Sequence, residues 1–157
     1  MLFLAGCAGP PPYVYDYVPG KTAVLENGYA VAPPSAPADV QAVVAAGNRI
    51  TGLPYGFGAG HADAFDTAYD CSGATSFILQ AVGKLDEPTT SGGFRHYGRR
   101  GEGDWISIYA RRGHVFVVVA GLRFDTAWTG SGAARGPRWT TRSRPTRGYV
   151  VRHPAGL

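Results

Sequence analysis

Cysteine is scarce in this chain, with two among 157 residues, Cys7 and Cys71. Cys7 lies beside the start in a Pro-rich stretch and Cys71 inside a separate, sharply defined motif, so the two are not expected to pair and a disulfide framework is excluded. They are also too few and too far apart for a zinc framework, and H-E-x-x-H is absent. Long apolar runs are missing: none approaches the roughly 18 residues of a membrane-spanning helix. No run of basic residues interleaved with aromatics offers a stacking platform, so nucleic acid is not an expected partner. No internal repeat is visible, and repeat architectures are excluded with it.

What remains is a folding composition. Hydrophobic residues make up 45% of the chain and charged residues 17%, which supplies a core and argues against global disorder. The length suits one compact domain plus a tail, expected as a monomer. The net charge of +4 is carried almost wholly by arginine, at Arg95, Arg99, Arg100, Arg111, Arg112 and from Arg135 to Arg147. A soluble basic surface is the simpler reading of that charge, ahead of attraction to an anionic polymer.

Seven prolines fall between Ala8 and Pro37. With no helical or strand period, residues 1–36 read as a terminal segment and linker, although the alternation of Tyr13, Tyr15 and Tyr17 would also suit a short docking strand. The folded unit is expected over residues 37–157. Val40, Val43, Val44, Gly47 and Ile50 recur at helical spacing until Gly52 and Pro54 stop them. A Gly-rich loop follows from Tyr55 to His61. Asp70-Cys71-Ser72-Gly73 then opens a second helical pattern through Phe77, Ile78, Ala81 and Val82 to Gly83. Beyond a polar connection, strands are expected at Trp105 to Tyr109, His114 to Ala120, Leu122 to Thr126 and Gly148 to Arg152, with Ala120-Gly121 as a hairpin turn. Helices first and an antiparallel sheet afterwards make the class α+β.

Cys71 thus falls where a helix begins. A thiol attacks as its thiolate, and the unpaired N–H groups of a helix start, aided by an imidazolium, are expected to lower its pKa. The same amides suit an oxyanion hole, and Gly73 is expected to let the helix approach the sheet. Among four histidines, His153 falls in the C-terminal tail and His96 in a polar loop. His114 opens the apolar strand Val115 to Val119, a rigid mount for a base facing the thiol. The imidazole needs a third group to orient it. Asp125 is preferred because a carboxylate also stabilises the imidazolium, and a one-residue slip would put Thr126 there instead. His61 and Asp63 with Asp66 or Asp70 make the one cluster with metal-ligand chemistry, but its spacing matches no metal motif, and neither metal nor cofactor is expected.

Pro54-Tyr55 with the Gly-rich loop, Tyr69-Asp70-Cys71-Ser72-Gly73, Gly103-Asp104-Trp105, and Gly113-His114-Val115 with its hairpin together resemble the NlpC/P60 family of papain-like peptidoglycan hydrolases, in that family's order over residues 37–157. The resemblance implies N-terminal helices packed on a central antiparallel sheet. It also implies a Cys/His/third-residue endopeptidase cutting wall stem peptides, often between D-glutamate and diaminopimelate. By the same match Tyr55 lines the site, Asp70 precedes the nucleophile and Ser72 contacts substrate, while His61, in a loop longer than the family's shortest form, reshapes specificity. The family's third residue is commonly histidine, where this chain offers Asp125 or Thr126. Leu4-Ala5-Gly6-Cys7 resembles a bacterial lipobox preceded by a shortened signal, which implies lipidation of Cys7, attachment to a membrane and a place in the cell envelope or outside it. Two other functions fit the same scaffold: a catalytically silent wall-binding lipoprotein, and an amidase or acyltransferase.

Overall fold

The structure is a computed structural model that describes residues 9–62, 65–129 and 135–157. It mixes helices with antiparallel sheet, as an α+β chain. Helix α1 (Ala38–Ile50) starts directly after Pro37, which has no side-chain cap, and buries Val40, Val43, Val44, Gly47 and Ile50. Its buried positions follow the 3.6-residue period read from the sequence. Helix α2 (Cys71–Gln80) buries nearly every side chain it carries, because it is sandwiched between α1 and the sheet. A four-residue helix, α3 (Ser91–Phe94), caps itself through Thr90 and sinks Phe94 into the core.

Two short strands, β1 (Val24–Glu26) and β2 (Tyr29–Val31), form a hairpin of their own. The main sheet has six strands: β3 (Arg99–Arg100), β4 (Ile106–Arg111), β5 (His114–Val119), β6 (Leu122–Asp125), β7 (Arg138–Thr140) and β8 (Val150–His153), in the order β3-β8-β4-β5-β6-β7. All its pairings are antiparallel. The expected turn at Ala120-Gly121 is present with φ of 45° and 75°, the mirror-image turn whose twist suits a two-residue hairpin. His153, expected in a tail, ends strand β8 and donates through Nδ1 to the Gly101 carbonyl, 2.9 Å away.

Strand parity divides the core. Val115, Val117 and Val119 of β5 join the helices in the main cluster, whereas Phe116 stacks on Tyr109 and meets Tyr149 on the opposite face.

The tract read as a linker behaves differently from that expectation. From Tyr13 onward it is laid against the fold: Tyr13 bridges to Arg144 and its phenol donates to the Gly121 carbonyl (2.9 Å). Ala23, Ala30 and Ala36 are buried in the core. Proline prevents helix here but does not prevent an extended chain from burying its apolar side chains. Asn27-Gly28, with φ of 50° and 87°, turns the β1–β2 hairpin, and Asn-Gly is a strong hairpin signal that lay unread inside the tract. Cys7 and the lipobox lie outside the described residues.

Candidate active site

Helix α2 begins at Cys71 because Asp70 caps it. The Asp70 carboxylate accepts from Gly73 N–H at 2.7 Å and, on its other oxygen, from Gly58 N–H at 3.0 Å. It also accepts from Ser72 Oγ (3.1 Å) and His61 Nε2 (3.0 Å), and that imidazole nitrogen lies 3.2 Å from Ser72 Oγ. Asp70, Ser72 and His61, expected around the substrate, are therefore one hydrogen-bonded cluster that ties the Gly-rich loop to the helix start. With Ser72 and Asp70 buried and His61 partly so, the cluster fixes where the sulfur sits.

Gly73 serves the same junction. A Cβ there would collide with the Ala59 carbonyl oxygen and crowd Gly60, so its small size admits the loop, and not the sheet as expected. Gly60 itself has φ +84° and leaves room for the Tyr69 ring, a conformation that glycine adopts without strain.

His114 enters from the sheet. The two-residue turn Arg112-Gly113 closes β4 and β5, pairing Arg111 with His114 at the mouth of the hairpin. Helix α2 packs on β5, and the Val115 N–H, next in chain to His114, stabilises the Cys71 thiolate. The sulfur and the imidazole are thus at the same end of the same strand. Each residue keeps 9% of its surface exposed, a nearly covered but not sealed position.

The third member follows from register. Val118 pairs with Arg123 across β5 and β6, so Arg123 and Asp125 share the face of His114, Phe116 and Val118, while Thr126 falls on the opposite parity. His114 Nε2 donates to Asp125 Oδ1 at 2.9 Å. Asp125 therefore engages Nε2 and leaves Nδ1 uncommitted to it. The hydroxyl of Thr126 is buried with no hydrogen-bond partner among the described residues.

Asp125 is held on all sides. Oδ1 also accepts from Ala127 N–H (2.9 Å), and Oδ2 accepts from Arg123 Nη1 and from Arg144 Nη1, the latter at 3.1 Å. Burial works to raise its pKa, but the hydrogen bond and charge of His114, with the charges of Arg144 and Arg123, carry it below the usual carboxylate value. These two arginines were not singled out from the sequence. Arg123 stands two residues before Asp125 on one strand, a period-2 signal that could have found it; nothing local points to Arg144.

The thiol differs from expectation. Burial pushes the Cys71 pKa up, with Asp70 and Asp125 adding to the rise, and the Val115 and Ser72 N–H groups offset only part of it. A helix start lowers a thiol pKa where water still reaches it, but here desolvation is the larger effect. Tyr55 is half-buried within electrostatic range of Cys71: burial, then the charges of Cys71 and Asp70, raise its phenol pKa. Asp63 lies outside the described residues. Asp66 is occupied by N–H groups of its own loop, Gly60 and Thr67, and among the described residues no group of three His, Cys, Asp or Glu side chains could hold a metal ion.

The geometry places a thiol at a capped helix start, an imidazole on the packed strand, and a charged carboxylate behind that imidazole. No family model matches the chain, and no curated protein is significantly similar to it.

Proposed function

We propose that the protein is a cysteine hydrolase of the NlpC/P60 kind that cuts peptidoglycan stem peptides, at the bond between D-glutamate and diaminopimelate. The observation that supports this most is His114 held through Nε2 by the buried carboxylate of Asp125, at the end of the strand whose Val115 N–H lies against the Cys71 sulfur. A purely structural histidine does not need a buried carboxylate braced by two arginines.

In this reading Cys71 Sγ attacks the amide carbonyl carbon as His114 takes the thiol proton at Nδ1, which suits a thiol that burial keeps protonated at rest. Backbone N–H groups at the start of α2 hold the oxyanion, although Gly73 N–H is committed to the Asp70 cap. His114 returns the proton to the leaving amine, an acyl-enzyme remains, and a water deprotonated by His114 releases the acid. Asp125 stabilises the imidazolium formed in each half. Tyr55, within electrostatic range of Cys71, shapes the entry. No cofactor takes part. The proposed setting is the cell envelope, reached through lipidation of Cys7.

Digestion of purified peptidoglycan, followed by mass analysis of the fragments, tests the proposal. New amino and carboxyl termini within stem peptides are expected from the wild type and not from Cys71→Ser. Identical fragment profiles for the two proteins on several wall chemistries would end it. Release of whole stem peptides from the glycan would instead make the enzyme an amidase.

A further inference from the structure

On the sheet face away from the helices, the face that carries His114 and Asp125, lies an open pocket of about 760 Å³ lined by Arg111, Arg123, Arg142, Arg144, Arg147 and Trp128 among others. No carboxylate lines it among the described residues. Asp125 engages Arg123 and Arg144 from beneath, whereas Arg111, Arg142 and Arg147 have no ion-pair partner among the described residues.

We propose that this pocket binds a phosphate ester, as a monoester or as part of a phosphodiester chain. Five guanidiniums around one space repel each other, and an occupant of opposite charge relieves that repulsion. Arg123 shows the strain of its position: it is 2% exposed, and burial with the neighbouring charge of Arg144 works against its protonated form. The Nε atoms of Arg123 and Arg144 are buried without a hydrogen-bond partner among the described residues, which is uncommon for a charged donor. The number of donors selects the ligand. A carboxylate is satisfied by one guanidinium fork, and Arg123 and Arg144 already supply Asp125. The further arginines suit a tetrahedral group with more oxygens, or several such groups in a row. Tyr149 and Trp128 give the same pocket ring surfaces.

The inference does not depend on Cys71 being a nucleophile, so each can fail alone. Its test is calorimetric titration of the full chain with inorganic phosphate, with a glycerol-phosphate polymer and with acetate, at constant ionic strength. Saturable phosphate binding is expected, weakened about tenfold or more in the double variant R142Q/R147Q, since a hydrogen bond to a charged group contributes that order of affinity. Both side chains are exposed, so folding is preserved. R99Q/R100Q removes equal charge from β3, at the far edge of the sheet, and is expected to leave affinity unchanged. Tighter binding of the polymer than of phosphate identifies a phosphodiester chain, and the reverse a small ester. The proposal is overturned if neither phosphate source binds saturably, if acetate binds as tightly, or if the two double variants lose affinity equally.

Discussion

Replacing Asp125 by Asn keeps the shape of the side chain and removes its charge from beneath Arg123, Arg144 and His114. Asp125 is 3% exposed and Arg123 2%, so water cannot take over the lost partner. Removing one member of a buried ion pair typically costs about 3–5 kcal/mol, or about a hundred- to several-thousand-fold in the folding equilibrium. With a urea dependence of about 1.5 kcal/mol per molar, the midpoint is expected to fall by about 2–3 M at pH 7. The pH dependence carries the sign. Asp125 has a depressed pKa in the folded state, so its contribution is present above the unfolded value of about 3.9 and is lost as pH falls from there through the folded value. The gap between wild type and Asp125→Asn is therefore expected to be full at pH 7 and to begin to narrow below about pH 4. Urea titrations at both pH values measure it. A gap under about 1 kcal/mol at pH 7, well short of the cost of unpairing a buried ion, would refute the reasoning. So would a gap that is the same at pH 3.

Alkylation of Cys71 by iodoacetamide is expected to show a midpoint above the usual cysteine value of about 8.5, because burial dominates its environment; a midpoint below 7 would mean that a thiolate-imidazolium pair exists at rest. Gly73→Ala is expected to destabilise the fold by about 1–3 kcal/mol in chemical denaturation, as an overpacked junction does, and an unchanged midpoint would show that the loop yields. Tyr13→Phe removes a phenol that donates to Gly121 O and accepts from Arg123 N–H; a loss of about 1–3 kcal/mol is expected from the groups left unpaired. Burial pushes Tyr13 up to about 12. Its share of stability is therefore present below the unfolded value near 10 and lost as pH rises to about 12, a loss that Tyr13→Phe is expected to lessen in alkaline titrations.

Much of this protein was legible in one dimension. The 3.6-residue recurrence from Val40 to Ile50 predicted α1, observed over Ala38–Ile50, and the Asp70-Cys71-Ser72-Gly73 segment predicted a helix beginning at the thiol, because capping and apolar period are local properties. The Val115–Val119 run and the Ala120-Gly121 turn likewise predicted the β5–β6 hairpin. Four short strands, β1, β2, β3 and β7, were not predicted, since two or three residues carry no period to read.

Other features belong to the tertiary structure alone. Whether Asp125 or Thr126 meets His114 is decided by which residues pair across β5 and β6, and one step of register exchanges their faces. Whether residues 13–36 pack is decided by the surface available to receive Tyr13, Ala23 and Ala30. The direction of the Cys71 shift depends on how much of the fold closes over the sulfur, and Arg144 reaches Asp125 from 19 positions away in sequence. Local chemistry named the thiol, the imidazole and the carboxylate; burial and register, which arise only when distant segments meet, determined their partners and their charge.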